Sequence, residues 1–87
     1  MTPMTHHDYT DCILCLATRY DFSVTSWGRT AKHNADVGGK PNTRHLLFLA
    51  VDIVLDDATE IGLLTADATR MGLTVVDEAD HIHIQTP

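Results

Sequence analysis

No apolar run in this chain is longer than six residues, the two longest being Cys12 to Ala17 and Leu46 to Val51. Runs this short build brief strands or one stripe of a helix, and fall far below the roughly 20 residues a bilayer crossing needs. In a chain of 87 residues they must be pooled into one small core, and a domain of this size buries only about 60–65% of its unfolded surface. At 44% hydrophobic and 21% charged the composition is that of a globular domain, which excludes a disordered tail or a collagen-like repeat. Six basic against twelve acidic side chains give a net charge of −6. That sign argues against nucleic-acid partners and against anionic membrane surfaces. No basic segment precedes the first apolar run, so a cleavable secretory signal is not expected.

The pattern along the chain predicts α, β, short α, β, α, β, β. Tyr9, Cys12, Ile13, Leu16, Ala17 and Tyr20 recur at helical steps, with Asp8 or Thr10 as the expected cap. Phe22 to Thr25 alternates as a strand. Thr30 to Asp36 makes about two helical turns with Thr30 as N-cap. Gly38-Gly39 followed by Pro41-Asn42 marks a loop. Ala50 to Leu55 reads as a strand, and Ala58 to Met71 as an amphipathic helix closed by Gly72. Leu73 to Val76 and His81 to Gln85 are strands around an acidic turn at Asp77 to Asp80. Helices bracketing a small, mainly antiparallel sheet define an α+β fold.

Six histidines point to chemistry, and not all of them carry it. Cys12 and Cys15 form a lone CxxC within the first helical pattern, without a second pair to complete a four-cysteine site. Their spacing puts them on one helix face, where two buried small apolar residues are expected. His6 and His7 fall in what reads as a frayed terminus.

His45 and Asp52 are seven residues apart. On a helix about 10 Å would separate them along the axis, and on a straight strand they would face opposite ways. They converge only if His45 ends the Gly-Pro loop and a bend precedes Asp52. Within the strand Val51, Ile53 and Leu55 point one way, and Ala50, Asp52 and Val54 the other. A carboxylate buried there needs a metal or a partner, and backbone N–H groups could also satisfy it. Alternation in the last strand puts His81, His83 and Gln85 opposite Ile82 and Ile84. Asp80 lies three residues before His83, where a turn can aim it at the same centre. Together His45, Asp52 and His83 form a two-histidine, one-carboxylate set, which matches catalytic zinc stoichiometry because it leaves a position open for water.

Three segments resemble the zinc D-Ala-D-Ala carboxypeptidases and related peptidoglycan endopeptidases, especially their small phage-lysin-like members. These are Val24-Thr25-Ser26-Trp27-Gly28-Arg29-Thr30, His33 through His45, and Ala50-Val51-Asp52-Ile53. The family pattern SxHxxGxAxD stands here as Thr43, His45, Phe48, Ala50 and Asp52, and Asp80 through Gln85 resembles the acidic-x-x-His and HxH endings. The likeness covers about residues 22 to 87, preceded by an N-terminal helix over residues 1 to 21. Two departures stand out: Thr43 replaces a serine, and Phe48 replaces a glycine, so the bend there must differ locally.

The resemblance implies a single peptidase domain with the Hedgehog/DD-peptidase-like zinc fold. It implies Zn2+ held by His45, Asp52 and His83, with Asp80 as general base and Glu78 as its rival in the same turn. His81 would line the site, and Arg29 would polarise the substrate. His33 and Asn34 would tie the short helix to the following loop. The implied function is hydrolysis of an amide in peptidoglycan stem peptides or cross-links by a monomer acting on the cell wall. A phage lysis enzyme, made in the cytoplasm, fits the missing signal and the missing wall-binding module. The alternative is a non-catalytic zinc domain that binds wall peptide or a protein partner.

Overall fold

The computed structural model describes residues 4–28, 30–38 and 44–87, apart from the side chains of His45 and Leu46. Helix α1 spans His6–Ala17, β1 Phe22–Ser26, α2 Ala31–Asp36, β2 Ala50–Leu55, α3 Ile61–Arg70, β3 Thr74–Asp77 and β4 Ile82–Gln85. Single 3₁₀ turns at Arg44–Leu47 and Ala58–Glu60 precede β2 and α3. The four strands form one antiparallel sheet in the order β1-β2-β4-β3. The chain leaves β2, crosses through α3 to β3, and returns through a hairpin to lay β4 between them. The expected α+β class holds.

Local chemistry sets the element ends. The cap of α1 is Thr5 rather than Asp8 or Thr10. Its side chain accepts from the Asp8 N–H while the Asp8 carboxylate accepts from the Thr5 N–H, a reciprocal capping box. His6 and His7 therefore open a helix instead of fraying, and His6 Nε2 lies 2.7 Å from the Leu47 carbonyl. Thr30 caps α2 as expected, accepting from the His33 N–H. At the end of α3, Gly72 takes φ +88. The Leu73 N–H reaches the Ala68 carbonyl and the Gly72 N–H reaches that of Thr69, the paired bonds of a Schellman end.

One face of the sheet carries the core. Val51, Ile53 and Leu55 of β2, with Ile82 and Ile84 of β4, pack against Tyr9, Ile13 and Leu16 of α1 and Leu64 and Ala68 of α3. Tyr9 is fully buried and donates its hydroxyl to the Ile84 carbonyl, so α1 is bonded to the central strand as well as packed on it. Cys12 and Cys15 sit on the flank of α1 as free, half-buried thiols, not the fully buried pair expected. The outer strands β1 and β3 are short and mostly exposed, while β2 and β4 are buried. Among the described residues no helix is long and apolar enough to cross a membrane.

Candidate active site

The two central strands place the site, because their antiparallel register sets Asp52 directly opposite His83. With Val51, Ile53, Ile82 and Ile84 turned to the core, strand alternation sends Asp52 and His83 to the other face. There His83 donates its Nδ1–H to Asp52 Oδ1 at 3.0 Å, with only 13% and 8% of the two side chains exposed. Gln85 Oε1 lies 2.8 Å from His83 Nε2 and holds the far side of the ring. On the side of Asp52 away from β4, Ser26 of β1 pairs with it across a bulge at Val24 to Ser26.

His81 sits one strand step before His83 on the same face. Its Nε2 lies 3.9 Å from Asp52 Oδ1 and 3.6 Å from Glu78 Oε2. Its Nδ1 donates to Asp80 Oδ1 at 2.7 Å. The two acidic candidates thus take opposite edges of one imidazole. Glu78 is on the nitrogen that faces Asp52, and Asp80 is on the outer nitrogen with a side chain 89% exposed. The hairpin turn causes this split. Glu78 N–H bonds to the His81 carbonyl, and Ala79 adopts φ +70, which turns the chain between the two carboxylates. The hydrogen bond from His81 holds the Asp80 carboxyl below its ordinary range. The same bond raises the His81 imidazole above its usual value, against partial burial, which acts the other way.

Of the residues the sequence singled out, the structure brings together Asp52, His83 and His81, with Asp80 and Glu78 on the rim. Arg29 and Thr43 lie outside the described residues. His45 lies on the 3₁₀ turn Arg44–Leu47, and its side chain is also outside them. Asn34 is buried, as a tying role requires, whereas His33 of the same pair is exposed. The bend between His45 and Asp52 is the 3₁₀ turn followed by Phe48 at φ +58, a left-handed residue. Sequence reading did not place that conformation. The signal was the glycine that the family pattern carries at this position, since glycine takes positive φ without steric cost.

The donor chemistry fits a divalent transition metal. Asp52 and His83 present a carboxylate oxygen and an imidazole nitrogen converging on one shared proton, and a cation bound by both would take that proton's place. Among the described residues no group of three His, Cys, Asp or Glu side chains is close enough to hold an ion.

Comparison with known proteins returns one family and no individual relative. No curated protein and no solved structure matches the chain. The family model described as Peptidase M15 matches residues 14–85. That match begins inside α1, eight residues before the sequence resemblance began, and ends on the last residue of β4. It takes in the whole sheet with Asp52, His81 and His83, and by it the chain belongs to the Peptidase M15 family.

Proposed function

We propose that this chain is a zinc-dependent peptidase that hydrolyses an amide bond in peptidoglycan stem peptides or cross-links. The observation that carries the reading is the buried cross-strand pair of Asp52 and His83, with His81 beside it, in a chain of a peptidase family. His45, Asp52 and His83 would hold the metal. When bound, zinc supplies Lewis acidity to the scissile carbonyl and lowers the pKa of water to about 7.

The acid–base work falls to the Asp80–His81 pair. Asp80 accepts the Nδ1–H of His81, which leaves Nε2 as the lone-pair nitrogen turned toward Asp52. From there the imidazole takes a proton from the attacking water and returns it to the leaving amine, with Asp80 holding ring and tautomer in place. Arg29 is assigned the substrate carbonyl by the sequence resemblance, where it would stabilise the developing oxyanion. A second reading gives the base role to Glu78, favoured by its 3.6 Å approach to the inner nitrogen of His81. A wall-binding domain without turnover is the rival function.

Purified sacculi incubated with the protein, followed by mass spectrometry of released muropeptides, separate these readings. Peptide release that stops on chelation and returns with zinc is the expected result, and no release by zinc-loaded protein sinks the peptidase. Metal analysis should find close to one zinc per chain, lost in His83→Ala. Zinc retained in that variant would overturn the ligand set. At equal zinc content, a loss of about 10²–10⁴-fold in turnover in Glu78→Gln with Asp80→Asn near wild type gives the base role to Glu78, and the reverse keeps it with the Asp80–His81 pair.

A further inference from the structure

We propose that Phe48 is a specificity-determining residue, a fixed aromatic wall that meets an apolar side chain of the peptide substrate beside the cleaved amide. The inference rests on the peptidase reading above and concerns a residue that departs from the family pattern. Phe48 holds φ +58, a conformation that is strained for a bulky L-residue and that glycine adopts freely. Core burial does not offset that strain, because Phe48 is 54% exposed. Strain kept at an exposed position next to a site is a pointer to function.

The ring is nevertheless held. It lies against Gly28, where a Cβ would stand 2.0 Å from Cδ2 and Cε2 and 2.6 Å from Cγ of Phe48. Gly28 is thus the seat of the ring, and no other residue fits while Phe48 keeps its place. Both partners belong to the end of the sheet next to the site. Gly28 follows Ser26, which pairs with Asp52. Phe48 precedes Leu49, whose carbonyl accepts from the Thr86 N–H and extends the β2–β4 ladder that carries Asp52 and His83. The ring is seated against Gly28 and still largely exposed. It is an exposed apolar surface beside polar site groups, so it is where an alkyl group of the substrate finds apolar contact.

The test uses a stem pentapeptide ending in D-Ala-D-Ala, with kinetics and NMR of the zinc-loaded protein. Phe48→Gly should raise KM about fivefold with kcat within about twofold, because it removes binding area and not a reacting group. Its thermal midpoint should not fall, since glycine relieves the left-handed backbone. Phe48→Leu should lie between the two. Gly28→Ala should raise KM as Phe48→Gly does, yet add nothing further in the Phe48→Gly background, because the ring it displaces is gone. The aromatic resonances of Phe48 should shift when the pentapeptide binds. A wild-type KM in Phe48→Gly overturns the inference, as does a fall in kcat at constant KM. Ring resonances that stay still while those of His83 move also overturn it. Binding with a Phe48 shift but without hydrolysis supports the wall and sinks the peptidase, and absence of both binding and hydrolysis overturns the two together.

Discussion

Two buried aspartates show how neighbours decide what a carboxylate is for. Asp67 of α3 and Asp52 of β2 are both buried. Asp67 is ringed by fixed donors: the Tyr20 hydroxyl at 2.5 Å, the Arg19 guanidinium at 3.6 Å, and Arg70 one helical turn on. All three serve as donors to one acceptor, and the cluster ties the residues after α1 to α3. Asp52 faces His83 and His81 instead, imidazoles whose ring nitrogens can ligate a metal. Equal burial therefore yields a staple in one place and the proposed metal centre in the other.

Asp52→Asn should break the comparison most sharply. Zinc content should fall well below one per chain by metal analysis, and turnover of sacculi should drop by at least about 100-fold, since even a group supporting a ligand is worth 10–100-fold. Chelation comes next. Removing a metal bound at 100 times its Kd costs about 2.7 kcal/mol, which lowers the thermal midpoint by about 10 °C or more in a domain of this size. Metal-free wild type and metal-free Asp52→Asn should then unfold together, and a clear gap between them would mean that Asp52 staples the fold as Asp67 does.

Asp67→Ala should show the opposite profile. It leaves the buried Tyr20 hydroxyl without its acceptor, a loss of about 1–2 kcal/mol, or about 5–10 °C by calorimetry. Zinc content and activity at low temperature should be unchanged.

The smallest effect is electrostatic. In Asp80→Asn the His81 pKa, read by NMR titration of metal-free protein, should fall back toward 6.5, the value it is raised from. The sign follows from linkage. His81 is raised, so its contribution is complete below its unfolded pKa and fades as pH rises through the folded one. Asp80 is lowered from 3.8, so its contribution is present above 3.8 and fades in acid. The pair helps most between those limits, and a His81 titration unmoved by Asp80→Asn would refute the contact.

Strand parity was legible in the sequence, and so the faces were. Alternation alone separates Asp52 from Val51 and Ile53, and His81 and His83 from Ile82 and Ile84. Register was not legible, because nothing within either strand says that Asp52 stands opposite His83 and not His81. That follows from the hairpin turn and the β2–β4 pairing together. The family pattern supplied a grouping that spacing left open. The cap of α1 was misplaced because Asp8 is a capping partner at the third helical position, and a residue of either sort reads alike in one sequence. The Asp67 cluster went unseen since Tyr20 and Asp67 are 47 residues apart. Asp67 also occupies a helix position that reads as solvent-facing until α1 is docked.

The order of strands in the sheet sets an order in time. β4 is synthesised after both of its neighbours and is laid between them. Until it emerges, β2 and β3 each present an open inner edge, the exposed pairing surface that draws strands of other chains. Asp52 meanwhile lacks the imidazoles that will face it. The closing strand therefore shields the nascent sheet and sets His83 opposite Asp52 in the same event, so a chain stalled before residue 82 would expose both inner edges and lack that pairing at once.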